Sequence, residues 1–392
     1  MSAATHSEPS ARDRHLFGPG PKRILALDGG GVRGVVALAF LKQIEGVLAA
    51  QAGGPVRLSD YFDLIGGTST GAIIAAGLAL GHSVDALRDF YHQLAPRVFR
   101  PPVVRLPGWK AIFDARALAR ALEGVIGDRR LDTDDLRTGL GVTLKRLDTG
   151  SAWVLLNNPR SSFWETPSDR SYIGNRHFRL AQIVRASTAA PHYFDPQEIE
   201  IAEGVQGLFV DGGLTPHNNP SLALFLSVFV PRMGIGWPAG PDKLTIVSVG
   251  AGTFRDRFEA STLTGAASAR LALRAMVQQI GDNQQLILTL MSLLSESPTP
   301  WPINAELGEL GALNAPGGPL FRFLRYDIRL DQDWLRDNAG RAPTADQVRQ
   351  MRRLDDAGSM PLLAELAAEA ARRQVTADDW TPVAAPVSAT IA

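Results

Sequence analysis

The chain has 392 residues, 40 Lys plus Arg against 40 Asp plus Glu, a formal net charge of zero, 45% hydrophobic residues and no cysteine. This composition fits a globular protein of one large domain, or one domain with an appendage. It lacks the cationic excess that nucleic-acid binding uses, and it excludes disulfides, thiolate nucleophiles and cysteine-based zinc sites.

Residues 1–21 are polar, broken by Pro and Gly, and carry no apolar signal core, so they are expected to be a flexible arm of a cytoplasmic protein. No apolar run approaches the roughly 18–20 residues that a bilayer-spanning helix requires, and membrane contact is expected to be peripheral. Ile24 to Leu27 is a short apolar run closed by Asp28, Gly29, Gly30 and Gly31. That is the pattern of a buried strand ending in a tight turn. Val35, Leu38, Leu41, Ile44, Val47 and Leu48 then recur at helical spacing. The loop satisfies G-x-G-x-x-G through Gly29, Gly31 and Gly34, which raises a dinucleotide site. Against that reading, such a site asks for neither Asp28, nor a third consecutive glycine, nor Arg33, and no clear acidic strand end follows about 20 residues on.

The same order of strand, glycine turn and helix recurs from Phe62 to Leu80. Here Gly67-Thr68-Ser69-Thr70-Gly71 fits G-x-S-x-G, the elbow that presents a nucleophilic serine on a turn so tight that its neighbours must be small. Helices also often start at Ser or Thr, so the pentapeptide alone leaves a capping role open. Alternating strands and helices predict an α/β fold with parallel strands.

Asp28-Gly29-Gly30-Gly31-Val32-Arg33-Gly34 after the first strand and Gly67 to Gly71 after the next together resemble the patatin-like phospholipase family of lipid acyl hydrolases. Two later stretches extend the likeness: Arg185 to Pro191, and Asp211-Gly212-Gly213, which is similar to the family's D-G-G/A motif. The resemblance covers about 23–252 and implies a three-layer α/β/α sandwich with a mostly parallel central sheet. It implies a Ser69–Asp211 dyad and an oxyanion hole from the backbone of Gly29, Gly30 and Gly31, with Asp28, Arg33, Gly34, Gly67, Gly71, Gly212 and Gly213 as supporting motif residues. Arg33 is expected to fix the loop or bind a lipid phosphate.

Physical chemistry supports that assignment from its own side. Glycines let backbone N–H groups come close to a developing oxyanion, and a helix starting near Gly34 adds positive potential. A carboxylate at a strand end can reach an elbow on a neighbouring strand and serve as base, and burial is expected to raise its pKa. The structural alternatives are a glycine turn that only packs a helix, and an Asp that only forms a turn.

Elsewhere, Ser83 to Leu94 reads as a capped helix, and Arg97, Phe99, Arg100, Arg105, Trp109 and Lys110 suggest either an anionic headgroup surface or a solvated loop. Asp132, Asp134 and Asp135 lack EF-hand spacing and read as a solvated turn. Strands are expected at 141–147, 152–157, 207–210, 243–250 and 321–330, and helices at 178–187, 222–230, 267–294 with a break at Gly281, and two within 344–373. Region 22–252 is expected to be the catalytic core, 253–380 a mainly helical part packed on or completing the same domain, and 381–392 a disordered tail.

The expected activity is hydrolysis of fatty acyl esters of membrane phospholipids or related lipids, with no cofactor, no metal and no nucleic acid. One alternative is a Ser-His-Asp esterase, for which His192 and His217 lie late enough in the chain. A non-catalytic lipid-binding member of the fold is another. Some bacterial members of the resembled family are switched on by a cyclic nucleotide; the sequence leaves any small-molecule or nucleotide activator unknown.

Overall fold

The computed structural model describes residues 8–99, 112–255, 268–310 and 316–380. Among them nine strands form one sheet: β1 (Lys22–Leu27), β2 (Leu64–Thr68), β3 (Gly139–Arg146), β4 (Ser151–Leu156), β5 (Gln197–Ala202), β6 (Val205–Asp211), β7 (Leu244–Val249), β8 (Ser295–Thr299) and β9 (Phe321–Tyr326). Their order is β5-β6-β3-β2-β1-β7-β9-β8, with β4 paired to β3 off that path. The run from β3 to β8 is parallel, and β4, β5 and β6 are antiparallel to their neighbours.

The central strands carry apolar residues on both faces because both faces are covered. In β1, Leu25 and Leu27 enter one core with the helices Gly34–Ala52, Thr70–Ala79, Leu180–Ser187 and Met360–Gln374. Ile24 and Ala26 enter the other, with Leu224, Phe225 and Val228 of Ser221–Phe229 and Met291 of Ser268–Leu293. The protein is a three-layer α/β/α sandwich, as its sequence leads one to expect.

Three expectations need correction. Residues 11–17 of the supposed arm are a helix, capped where the Ser10 side chain accepts the Asp13 N–H. It docks because Leu16 is 1% exposed, its carbonyl accepts the Trp237 indole N–H at 2.8 Å, and His15 Nδ1 lies 3.0 Å from Asp63 Oδ1. Second, the long helix Ser268–Leu293 runs unbroken through Gly281. A single glycine weakens a helix by only about 1 kcal/mol, and packing outweighs it. Third, Gly31–Ala52 is long and apolar enough to cross a membrane by length and composition. Here it is a core helix, with Val36, Phe40, Leu41, Ile44 and Leu48 fully buried against the sheet and its neighbours.

The chain beyond residue 253 adds β8 and β9 to the same sheet. β8 is polar and contains Pro298, a residue compatible with a sheet edge because it has no N–H to donate. The tail 381–392 lies outside the described residues.

Candidate active site

The site begins where β2 stops. Ser69 follows Thr68 with φ 55° and ψ −122°, and Thr70–Ala79 starts as a helix immediately afterwards. A non-glycine residue at positive φ is strained and persists only where its surroundings impose it. The imposition is visible in the glycines. A Cβ on Gly67 would lie 2.1 Å from the Gly71 carbonyl carbon, and one on Gly71 would lie 2.2 Å from the Leu27 carbonyl oxygen. Neither position has room for a side chain.

Register then brings Asp211 to Ser69. On β3, Thr143 is paired with Thr68 of β2, and the next residue, Leu144, is paired with Asp211 of β6. Because β4 occupies Gly141 to Arg146 along the other edge of β3, β2 and β6 share one edge end to end. The last residue of β6 therefore arrives where β2 turns away. Ser69 Oγ donates to Asp211 Oδ2 at 2.6 Å, and Asp211 Oδ1 accepts the Gly213 N–H at 2.7 Å. Gly212 sits against β3, where a Cβ would meet the Thr143 carbonyl oxygen at 2.3 Å. Asp211 is 6% exposed. Burial pushes its carboxyl up to about 6, against the opposing pull of Ser69, the Gly213 N–H and the Arg185 guanidinium.

The glycine loop crosses directly over the serine: a Cβ on Gly29 would stand 3.2 Å from Ser69 Cβ. Its peptide planes are fixed by named acceptors and donors. The Gly29 N–H is already given to the Asn218 carbonyl at 3.1 Å, which removes it from the expected set of three oxyanion donors. The Gly29 carbonyl accepts Asn218 Nδ2 at 3.3 Å, and the Gly30 carbonyl accepts Arg33 Nε at 3.3 Å and the Arg33 N–H at 3.2 Å. In a trans peptide the N–H points opposite to the preceding carbonyl. Holding those two carbonyls therefore aims the N–H groups of Gly30 and Gly31 the other way, and neither N–H has an acceptor among the described residues. The Gly31 carbonyl is pinned by Thr70 Oγ1 at 2.9 Å and by the Tyr91 hydroxyl. Gly34 packs under this loop, where a Cβ would collide with Thr70 Cγ2 at 2.2 Å.

Arg33 is 8% exposed; its guanidinium donates to Gly252 O at 3.0 Å and stacks on Phe254. These contacts tie its side chain to the loop and to the chain around Gly252. Asp28 is likewise buried, with its carboxylate on Arg325 Nη1 at 3.1 Å and Nη2 at 2.8 Å.

Two residues of the site escaped sequence reasoning. Ser187 Oγ accepts the Ser69 N–H at 2.9 Å and donates to Thr143 O at 2.6 Å, while Ala189 O accepts the Asp211 N–H at 3.0 Å. One short segment thus holds the backbone N–H groups of both Ser69 and Asp211. The only signal for it in the sequence is the run Arg185 to Pro191, which carries part of the family likeness without marking Ser187 itself. Asn218 is the other, with only its closeness to Asp211 in the chain to mark it.

Neither His192 nor His217 joins Ser69 and Asp211. Asp211 touches Ser69 directly, leaving no place for an imidazole between them. His217 Nδ1 is buried without a hydrogen-bond partner among the described residues, burial lowers its pKa, and the His217 carbonyl accepts Thr68 Oγ1 at 2.6 Å. His192 is exposed. In the basic and aromatic stretch, Phe99 packs inward on Phe113 and Phe194 with ring centroids 5.4 and 6.3 Å away, and Arg97 is exposed; Arg100, Arg105, Trp109 and Lys110 lie outside the described residues. Asp132 and Asp135 pair with Arg176 and Arg129 at 3.0 and 2.5 Å.

A serine strained between strand and helix, a carboxylate on its hydroxyl and a glycine loop across it define an α/β protein with an elbow serine. Residues 25–225 match the model of the patatin-like phospholipase family, and the chain belongs to that family. It is 31% identical over 220 residues to the cGAMP-activated phospholipase of Vibrio cholerae, a match covering 53% of this chain and 58% of the relative. It is also 31% identical over 285 residues to the calcium-independent phospholipase A2-gamma of Rattus norvegicus, covering 69% and 33%. The chain spans a little over half the length of the bacterial relatives it matches. Among solved structures, human GIVD cytosolic phospholipase A2 aligns with a TM-score of 0.41 at 12% identity, over 94% of this chain and 61% of that one, a likeness too distant to bear on function.

Proposed function

We propose that the protein is a serine hydrolase that cleaves fatty acyl esters of membrane phospholipids or related lipids, acting peripherally at a membrane surface. The observation that carries this reading is the 2.6 Å hydrogen bond from Ser69 Oγ to a buried Asp211 carboxylate, set beside two glycine N–H groups without acceptors among the described residues. Membership of the patatin-like phospholipase family supplies the substrate class.

In the proposed reaction Asp211 Oδ2 takes the Ser69 proton as Ser69 Oγ bonds to the ester carbonyl carbon. The carbonyl oxygen becomes an anion facing the Gly30 and Gly31 N–H groups. Collapse breaks the bond to the leaving alcohol, which takes the proton from Asp211 and departs as the lyso product. Water then gives a proton to Asp211 and attacks the acyl-serine. When this second intermediate collapses, the proton returns to Ser69 and a fatty acid is released.

A carboxyl of ordinary pKa 3.8 is a weak base, and its elevation to about 6 brings Asp211 nearer the working pH while leaving it mostly ionised at neutrality. The base works only when deprotonated. Hence kcat/KM should be flat above neutrality and fall about tenfold per pH unit on the acid side of about 6. Titrating fatty acid release from mixed phospholipid vesicles across pH 4–9 checks both the activity and this limb. Because bacterial relatives are named as cGAMP-activated, the titration is run with and without cGAMP. No release under either condition would overturn the reading, and an acid limb close to the ordinary carboxyl value would remove Asp211 as a buried base.

A further inference from the structure

The family match ends at residue 225, yet the glycine loop is held by groups that come later in the chain. Arg325 on β9 has a side chain with 0% exposure, and its fork reaches Asp28 at 2.8 Å and Asp327 at 2.7 Å. Asp28 begins the glycine loop. Asp327 Oδ1 in turn accepts the Gly252 N–H at 2.8 Å, and the Gly252 carbonyl accepts Arg33 Nη1 at 3.0 Å. Arg33 Nε holds the Gly30 carbonyl. The contacts close into a ring from Arg325 through Asp28 to Gly29, and back from Gly30 through Arg33, Gly252 and Asp327 to Arg325. Two further contacts come from the same region of the chain: Gln284 Nε2 donates to Asp28 Oδ2 at 3.1 Å, and the Leu354 carbonyl accepts the Val32 N–H at 2.9 Å.

Such an arrangement is poorly explained by stability alone. A buried ion cluster is often no more stable than a well-packed apolar one, because burying charge costs about as much as the attraction returns. A planar guanidinium that binds two carboxylates in fixed directions does, however, set geometry. The carboxylates it fixes lead to the peptides on either side of the proposed oxyanion donors.

We propose that Arg325 is a positioning residue for the oxyanion hole, acting on the Gly29 to Gly31 loop through Asp28 from one side and through Asp327, Gly252 and Arg33 from the other. The chain beyond the family-matched region is then part of the catalytic apparatus, and Gln284 on the long helix is a contact by which a displacement of that helix reaches the hole. This inference rests on the reading of Ser69 as nucleophile.

The test compares wild type, Arg325→Lys, Asp327→Asn and Gln284→Ala, with folding followed by circular dichroism and melting. Arg325→Lys keeps the charge and loses the fork; a misplaced hole should lower kcat about 10²-fold with KM unchanged. A long-chain trifluoromethyl ketone, which forms a hemiketal with the serine and places an oxyanion in the hole, should lose affinity by the same factor. A non-hydrolysable ether analogue of the substrate should bind as before. A merely structural role would move the melting temperature without this parallel. Gln284→Ala removes a half-buried neutral partner of Asp28, leaves the Asp28 carboxylate paired with Arg325, and should lower kcat about tenfold with the same pattern; it carries the test should the ring variants fail to fold. The proposal is overturned by folded variants with wild-type kcat, or by kcat losses without loss of ketone affinity. If Ser69→Ala retains activity, the reading of the nucleophile fails instead, and the two failures are told apart.

Discussion

Replacing Ser69 by alanine should lower fatty acid release by about 10⁴- to 10⁶-fold, and Asp211→Asn by about 10⁴-fold, the range seen when a nucleophile or its proton acceptor is removed from a serine hydrolase. The size follows from the roles. Alanine leaves no atom to form the acyl-enzyme, so only the hole and substrate binding remain to help water attack. Asparagine can keep the contacts: its amide N–H can face Ser69 Oγ while its oxygen accepts the Gly213 N–H that Asp211 now accepts at 2.7 Å. It cannot take the serine's proton. Because the two residues act as a unit, the double variant should be no slower than Ser69→Ala alone. Initial rates on mixed phospholipid vesicles, with folding verified by circular dichroism, measure all three. An Asp211→Asn variant within tenfold of wild type would place the base elsewhere.

The same Asp211→Asn change should stabilise the protein at neutral pH. The folded state raises this carboxyl from 3.8 to about 6, so it binds the proton more tightly than the unfolded chain does. Stability from that preference is present below the unfolded value and is lost as pH rises through the folded one. At pH 7 to 8 the wild type carries a penalty of about 3 kcal/mol for holding the charge in its buried site. Asparagine removes the charge and the penalty. Melting should rise by about 4 °C for a chain of this length near neutrality, and the difference should vanish towards pH 4. Melting curves of the two proteins from pH 4 to 8 give the comparison; an Asn variant less stable at pH 8, or a gain that persists at pH 4, would show that burial does not set this carboxyl. Loss of activity with gain of stability is the expected mark of a functional group held where folding alone would not place it.

The sequence made the site legible because its chemistry needs backbone geometries that few residues allow. Gly67 and Gly71 leave no choice about where Ser69 turns, and three glycines in succession announce a loop that something must approach. Burial on both faces made β1 and β7 readable as apolar runs. What stayed hidden is what depends on distant partners. No local pattern marks Ser187 as the acceptor for the Ser69 N–H, since a serine in a short helix has many ordinary uses. Neither could spacing show that the Gly29 N–H is spent on Asn218, which lies 189 residues away. The helix at 11–17 was obscured by its polar surroundings, and only Leu16 and its capping Ser10 betray it. β5 could have been read: Ile199 and Ile201 are buried and alternate with exposed Glu198 and Glu200. β8, with the sequence Ser-Glu-Ser-Pro-Thr, carries no such pattern, because its place at the sheet edge demands pairing on one side only.

The most direct test of the central claim is covalent labelling by a long-chain alkyl fluorophosphonate, followed by intact-mass measurement and peptide mapping. The account predicts one adduct per chain, located on Ser69, absent in Ser69→Ala and formed at least 10²-fold more slowly in Asp211→Asn. An unlabelled wild type, an adduct on another residue, or equal labelling of Asp211→Asn would contradict it.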